Sequence, residues 1–194
     1  MDIKQLIKQN FEQSIQTKQQ VQAELEQPLA DAVGLIVTAF KNGKKLLICG
    51  NGGSAADAQH LAAEFTGRFE IERTPLPAIA LTTDTSALTA IGNDYGYDVV
   101  FSKQVEALGQ AGDVLYAIST SGNSGNVIKA IEVAHAKGMQ VIGVLGRDGG
   151  KIAQMLKAGD VNLCVSVNRT ARVQEVHLLM LHTICDAVDT VMFK

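Results

Sequence analysis

The sequence has no long apolar run and no apolar secretory segment after Met1. Its uninterrupted apolar stretches, such as residues 46–49, fall far short of the roughly 18 residues that a membrane-spanning helix requires, so we expect no such helix. Cysteine is scarce as well, with three widely spaced residues, Cys49, Cys164 and Cys185. This pattern predicts reduced thiols, no structural disulfide and a cytoplasmic location.

An excess of charge of one sign is also lacking. The chain has 17 basic and 20 acidic side chains, a formal net charge of −3, and no Lys/Arg stripe, which argues against direct binding of nucleic acid. Apolar residues, by contrast, make up 46% of the 194 residues, enough for a core without disulfide support. Because no internal repeat or Pro/Gly-rich linker interrupts the chain, we expect one domain over 1–194.

The first 27 residues contain neither proline nor glycine. Four apolar residues, Ile3, Ile7, Phe11 and Ile15, recur every fourth position and predict an amphipathic helix. Its narrow apolar stripe suits packing against another subunit as well as against its own domain. Pro28 fits the first turn of a second helix that ends at Gly43, so we expect two N-terminal helices over about 1–42.

Short apolar runs alternate with helical patterns over about 44–168. The candidate strands are residues 45–49, 78–81, 114–118, 141–145 and 161–165. Strands that are apolar on both faces and joined by helices predict an α/β fold with a five-stranded, doubly wound parallel sheet. A last helix over about 170–192 is apolar at more positions than one face can hold, which suggests packing on a partner.

Two loops that follow predicted strands have the composition of ligand-binding loops. Residues 49–54 (CGNGGS) offer glycines for close backbone approach, and Ser54 is expected to cap the next helix. Residues 119–124 (STSGNS) place four hydroxyls before a helix that starts near Asn126, a neutral cradle for an oxyanion such as phosphate. The alternatives are a tight strand–helix turn and a simple helix cap. A nucleotide P-loop is excluded, because neither loop ends in Gly-Lys-Ser/Thr.

Polar residues on two predicted helices form a third candidate group. His60 and Glu64 are four residues apart and share one helix face, so they could bind one metal ion or one substrate, although such pairs are common on solvated helices. On the last helix, spacing leaves open whether His177 or His182 faces the same site as Gln174. From composition and spacing alone, two further polar residues are interpreted without a chemical role, Asp94 as a turn residue and His135 as a surface residue.

The motifs 49–54, 60–64, 92–94, 119–124 and 174–177 together resemble those of the phosphoheptose isomerases, within the sugar-isomerase (SIS) domain family, over nearly the whole chain. The resemblance implies a flavodoxin-like fold, a homotetramer with active sites between subunits, and one zinc ion per subunit, which we expect to be weakly held. It also implies interconversion of D-sedoheptulose 7-phosphate and D-glycero-D-manno-heptose 7-phosphate through an enediol, for lipopolysaccharide heptose synthesis.

The resemblance further implies roles for individual residues. Glu64 and His182 are implied as the catalytic pair, which selects His182 over His177. The implied zinc ligands are His60, Glu64, Gln174 and His182. The implied substrate contacts are Asn51, Gly52, Gly53, Ser54, Glu64, Asn93, Asp94, Ser119, Thr120, Ser121, Ser124 and Gln174.

Two features depart from this resemblance. Ala171 stands where the family usually carries an Asp, so any role of that carboxylate is in doubt here. Residues 12–17 and 185–189 are similar to a relative that binds the bacterial replication initiator DnaA as a tetramer. A scaffold of that kind, without isomerase activity, is the alternative function. Because all four polar residues of the implied zinc site are present, we favour the enzyme.

Overall fold

The computed structural model describes residues 2–194, so Met1, at the edge of the predicted N-terminal helical region, lies outside the described residues. Within this range the helices are α1 (Ile3–Lys41), α2 (Gly53–Thr66), α3 (Thr85–Tyr95), α4 (Val100–Leu108), α5 (Gly125–Ala136), α6 (Gly150–Met155) and α7 (Thr170–Phe193). The strands are β1 (Leu46–Cys49), β2 (Ala78–Ala80), β3 (Val114–Ser119), β4 (Gln140–Gly146) and β5 (Val161–Val165).

The strands form one parallel sheet in the order β2-β1-β3-β4-β5. In its register Leu47 of β1 pairs with Ile79 of β2 on one side and Leu115 of β3 on the other. The predicted α/β fold with a doubly wound, five-stranded parallel sheet is thereby confirmed, and each strand lies within a residue or two of its predicted position.

Alternate side chains of each strand point to opposite faces of the sheet, and each face carries its own core. Ile48 and Tyr116 pack with buried residues of α1, α2 and α7. Leu47 and Leu115 pack on the opposite face with buried residues of α4, α5 and α6. Both faces of the sheet are thus covered, which explains why the strands are apolar at most positions on both faces.

The prediction of two N-terminal helices is wrong, because α1 is one helix of 39 residues with Pro28 inside it. Proline removes a backbone hydrogen bond and ordinarily breaks or kinks a helix. Here buried residues lie on both sides of it, including Val21 and Leu25 before and Ala32 and Ile36 after. Packing of this continuous buried face onto the domain outweighs the local preference for a break.

Helix α7 differs from the expectation of no segment apolar enough to cross a membrane. It is the one candidate span in residues 2–194, with a mean hydropathy of 1.4 over its best window. Of that window 44% is buried, and buried residues such as Val176, Leu181 and Val188 pack in the core with α1 and α2. A core helix passes the same test of length and composition, so its apolar character is explained by packing.

The interpretation of His135 as a surface residue is also wrong. Its Nε2 lies 2.7 Å from Oδ2 of Asp160, and the two side chains are only 8% and 4% exposed. Asp160 also accepts hydrogen bonds from the backbone N–H groups of Val141 and Lys157. His135 therefore belongs to a buried polar cluster that joins α5 to the segment before β5.

Candidate functional site

The order of the strands places a crevice at the carboxyl ends of β1 and β3. The chain passes from β1 to β2 on one side and from β2 to β3 on the other, so the connections diverge there, as at the usual ligand site of this kind of sheet. The glycine-rich residues 50–52 follow β1, and the hydroxyl-rich residues 120–124 follow β3. Both candidate loops therefore lie at this crevice.

The glycine-rich loop turns directly into α2. Gly52 occupies the N-cap position with φ 59°, a left-handed conformation that glycine adopts without strain. Because the helix begins at Gly53, Ser54 lies inside its first turn, buried, and its backbone N–H donates to the carbonyl of Asn51 at 3.0 Å. The prediction that Ser54 caps this helix is wrong, since the turn at Gly52 starts the helix earlier.

A reciprocal pair of amides joins the two loops. The Asn51 side-chain amide donates to Oδ1 of Asn126 at 2.9 Å, and the Asn126 amide donates back to Oδ1 of Asn51 at 2.9 Å. Asn126 is buried in the first turn of α5, directly after the hydroxyl-rich loop. This pair fixes the glycine-rich loop against the start of α5. The positions of Asn51 and Asn126 along the chain gave no indication of this pair.

The hydroxyl-rich loop presents its polar groups at the start of α5. The hydroxyls of Ser119 and Ser124 lie 2.9 Å apart, and Ser119 is buried. The Ser121 hydroxyl accepts from the backbone N–H of Asn123 at 3.2 Å, while Thr120 is half-buried. Since Ser124 is the N-cap of α5, the first amides of that helix face the same place. Such an arrangement binds anions.

Gly122 fits this loop against the start of α6. Its φ is +64°, and a Cβ there would lie 1.9 Å from the carbonyl oxygen of Gly149. The carbonyl of Gly122 accepts from the backbone N–H of Ile152 at 3.0 Å. Only glycine allows this close approach of two backbone segments, and the approach holds the loop in shape.

Three of the four predicted zinc ligands lie together. On α2, Nε2 of His60 lies 2.9 Å from Oε1 of Glu64. On α7, the ring of His182 lies 5.1 Å from the ring of His60, centroid to centroid, at 79°. Phe69 stacks on His182 at 5.7 Å. The structure thus brings His182 to His60 and Glu64, from a part of the chain more than 100 residues away.

Gln174 lies nearer the glycine-rich loop. A Cβ on Gly53 would lie 2.4 Å from its Nε2, so the amide packs directly on the start of α2. Eight residues of helix separate Gln174 from His182, about 12 Å along the axis of α7. Gln174 therefore lies at the end of the site next to the glycine-rich loop, and His182 lies at the opposite end.

His177, the alternative that spacing left open, faces the interior. It is 2% exposed, and its Nε2 donates to the carbonyl of Leu145 at 2.9 Å. Burial lowers the pKa of His177 to about 4, although the bond to Leu145 opposes this shift. At neutral pH it is therefore an uncharged residue of the core.

Asn93 and Asp94 lie apart from these contacts. Both belong to the last turn of α3, where they are exposed and the Asn93 amide donates to Oδ1 of Asp94 at 2.9 Å. The interpretation of Asp94 as a turn residue is wrong, because the helix continues to Tyr95 before Gly96 ends it with φ 89°. Within residues 2–194, no hydrogen bond joins Asn93 or Asp94 to either loop or to His60, Glu64, Gln174 or His182.

Asp57 is a candidate that the sequence reasoning missed. It lies three residues before His60 on α2, and its Oδ2 is buried with no hydrogen-bond partner among the described residues. Burial raises the pKa of the Asp57 carboxyl, and the nearby His60 lowers it in part. Its helical spacing from His60 and Glu64, by steps of three and four residues, is the sequence pattern that could have indicated it.

The residues present fit a zinc ion by donor chemistry and by the proximity of three of them. Two imidazoles, a carboxylate and an amide oxygen are ligands that zinc accepts. No group of three or more His, Cys, Asp or Glu side chains in the part of the chain described is already arranged as a metal centre. The hydrogen bond between His60 and Glu64 would have to open for both side chains to bind one ion. The ligand set stays a prediction.

The chain is similar to proteins of established fold and name. Residues 9–146 match the SIS domain family. The chain is 60% identical over 185 residues to the phosphoheptose isomerase of Neisseria gonorrhoeae. The aligned region covers 95% of this chain and 94% of the relative. It is 56% identical over 187 residues to the phosphoheptose isomerase of Shewanella denitrificans, over 96% of this chain and 95% of the relative.

Two solved structures extend this similarity to the fold. The structure of phosphoheptose isomerase GmhA from Neisseria gonorrhoeae has a TM-score of 0.94 at 56% identity, over 97% of this chain and all of that chain. The structure of a phosphoheptose isomerase from Francisella tularensis has a TM-score of 0.95 at 43% identity, over 98% of this chain and all of that chain.

Proposed function

The chain belongs to the SIS domain family and, within it, to the phosphoheptose isomerases. We propose that it interconverts D-sedoheptulose 7-phosphate and D-glycero-D-manno-heptose 7-phosphate, the step that supplies heptose for lipopolysaccharide. The observation that carries the proposal is the meeting of Glu64 and His182 around His60, next to an anion-binding loop. The same fold and 60% identity to a named isomerase support it.

The phosphate group is assigned to the hydroxyl-rich loop. Its oxygens would accept hydrogen bonds from the hydroxyls of Thr120, Ser121 and Ser124 and from the first amides of α5. Asn51, Gly52 and Gly53 are assigned to the sugar from the other side of the crevice, and Asn93 and Asp94 to its outer part. Anchoring the phosphate fixes the distance from the loop to the reacting carbon atoms.

Glu64 and His182 are assigned to proton transfer. A ketose becomes an aldose when a base removes a proton from C1 while an acid protonates the oxygen on C2, which gives an enediol. The proton then returns to C2 as the oxygen on C1 loses its own. We propose that Glu64 handles the proton on carbon and His182 the proton on oxygen, and the reverse assignment gives the same products.

Zinc is proposed as the metal, held by His60, Glu64, Gln174 and His182. When bound, zinc supplies a Lewis acid that polarises the substrate carbonyl. One carboxylate is poorly suited to be both a tight ligand and a free base, so we propose that the metal is weakly held or exchangeable. Zinc that is stoichiometric and resists chelators in the active enzyme would contradict this.

A homotetramer with active sites between subunits is proposed for the assembly, in the cytoplasm. The support is a row of exposed apolar side chains near the start of α1, with Ile3, Ile7, Phe11 and Ile15 between 52% and 69% exposed. Apolar area of this kind on one helix commonly marks an interface. The DnaA-binding scaffold stays a prediction from two short segments, and the contact between His182 and His60 favours the enzyme.

Glu64→Gln is the substitution that tests the proposed chemistry. The parent should convert sedoheptulose 7-phosphate to the aldose, more slowly with a chelator present. A neutral amide cannot accept the proton, so the variant should lose at least about 10²-fold in kcat. Turnover is measured by discontinuous analysis of both sugar phosphates.

Glu132→Gln is the matched control, because Glu132 is exposed on α5 outside the site. It should keep the parental rate. Equal rates for the Glu64 variant and the parent would remove Glu64 from the mechanism, and a parent without turnover would reject the proposed reaction.

A further inference from the structure

The side chain of Arg73 binds two of the last carbonyl groups of α2, those of Glu64 and Phe65. Its Nη2 donates to the carbonyl of Glu64 at 2.8 Å, and its Nη1 donates to the carbonyl of Phe65 at 2.8 Å, of Gly67 at 3.1 Å and of Thr74 at 3.3 Å. The last carbonyls of a helix have no partner within the helix, and a cation there also complements the helix dipole. Arg73 therefore holds the helix end that carries Glu64.

The same guanidinium also binds α7. Its Nε donates to Oδ1 of Asp189 at 2.9 Å, and the two side chains are 1% and 3% exposed. Asp189 follows His182 by seven residues, about two helical turns, so both lie on nearly the same face of α7. One planar group thus joins the backbone of Glu64 to the helix face that presents His182.

The buried pair is suited to fixing geometry. An ion pair without access to water loses its hydration, and apolar residues of similar size often give equal or greater stability. The guanidinium, however, fixes directions, because its N–H groups lie in one plane and at fixed angles. In Arg73 all three nitrogens are used, toward α2, the segment after it and α7.

We propose that Arg73, together with Asp189, is a positioning residue for the isomerisation: it sets the carboxylate of Glu64 relative to the imidazole of His182. The inference rests on the proposed function. It adds a residue that touches neither substrate nor metal and that acts on the catalytic pair through the backbone of Glu64 and through α7.

Asp189→Asn and Arg73→Lys test the inference in the full chain. Asn has nearly the same shape as Asp but no charge, and Lys keeps the charge but not the planar set of donors. Each variant should lower kcat by about 10- to 100-fold, the usual effect of residues that orient a site, and leave KM within about threefold. The affinity for Zn²⁺ alone, measured by calorimetry, should fall by a similar factor, because two of its proposed ligands move apart.

Asp113→Asn is the matched control for the loss of a buried ion pair. Asp113 is 1% exposed and accepts from Nζ of Lys45 at 2.6 Å, at the opposite, amino-terminal edge of the sheet. All rates are compared well below each variant's unfolding temperature. The control should unfold at a lower temperature yet keep kcat within about twofold of the parent.

The outcomes separate this inference from the proposed function. A folded Asp189→Asn chain with parental kcat and parental Zn²⁺ affinity would overturn the positioning role. If that variant does not fold, Arg73→Lys decides by the same two measurements, since it keeps the charge but not the planar set of donors. A parent that fails to convert the sugar phosphate rejects the proposed function instead, and the Zn²⁺ affinities then decide the positioning role.

Discussion

His177 and His182 lie five residues apart on α7 and have opposite environments. His177 is 2% exposed and donates to the carbonyl of Leu145, whereas His182 packs its ring against His60 and Phe69. Spacing along the helix could not distinguish them, because both lie within reach of the face of Gln174. The environment decides, since a histidine with its pKa lowered to about 4 by burial stays neutral in the core.

The pH dependence of stability should report this burial. In the unfolded chain the pKa of His177 returns to about 6.5, above its folded value of about 4. Below pH 6.5 the unfolded state therefore takes up a proton that the folded state excludes. The contribution of neutral His177 to the free energy of unfolding is fully present above that pH and is lost as the pH falls toward 4. Between pH 7 and 4.5 the parent should lose on the order of 2 kcal/mol more unfolding free energy than His177→Gln.

This difference is measured by urea denaturation at equal protein concentration. Gln keeps a donor for the Leu145 carbonyl but does not titrate, so the comparison removes the contributions of the other groups. Parallel pH profiles for the two proteins would show that His177 is not held neutral by the fold.

At the scale of single elements, the shape of the two loops depends on contacts with residues that are distant in the sequence. The hydroxyl-rich loop is fixed by Gly149 and Ile152 at α6, and the glycine-rich loop by Asn126 at α5. Helix α1 shows the same effect, because packing on the domain carries it through Pro28. Local composition predicted where these elements lie, and their neighbours determine their form.

Gly122→Ala should disturb the hydroxyl-rich loop selectively. A Cβ at this residue would collide with the backbone oxygen of Gly149 and would also require a strained positive φ. We expect KM for the sugar phosphate to rise by roughly tenfold, about 1.4 kcal/mol of binding free energy. Steady-state kinetics provide the measurement.

Gly34→Ala is the control for this substitution. Gly34 is exposed within α1, and a Cβ there would have no neighbour within 4 Å. It should leave KM unchanged. A Gly122 variant with the KM of the parent would show that the loop does not bind the phosphate.

At the scale of the whole molecule, helices cover both faces of the sheet, but apolar side chains on the first turns of α1 are exposed. The interior holds most apolar residues of the five strands, while Ile3, Ile7, Phe11 and Ile15 stay exposed. A single copy of the chain does not cover these side chains. The proposed assembly would cover them and would complete the sites between subunits.

Ile7→Glu combined with Phe11→Glu should break this assembly. Two charges in the apolar row would be buried without partners, which opposes association. The mass by sedimentation equilibrium should fall below that of four 20.6 kDa chains, and turnover should fall with it.

Gln5→Glu combined with Gln9→Glu is the charge-matched control on the opposite, exposed face of α1. It should leave both mass and rate unchanged. An unaltered mass for the first double variant would exclude the start of α1 from the interface.

The sequence by itself determined the strands of the sheet and the residue types of the candidate site. Strands apolar on both faces, loops rich in glycine and hydroxyls directly after them, and a His/Glu pair one helical turn apart are local patterns. They were sufficient to predict the parallel sheet, its position in the chain and the region of the site.

Only the tertiary structure decided which distant side chains meet. The opposite environments of His177 and His182 depend on how helices pack across the sheet, although the family resemblance had already selected His182. The amide pair of Asn51 and Asn126 and the guanidinium of Arg73 between α2 and α7 depend on the same packing. Helix packing sums many weak apolar contacts over long separations in sequence. Helical periodicity specifies the face on which a residue lies, but not the neighbour that this face will meet.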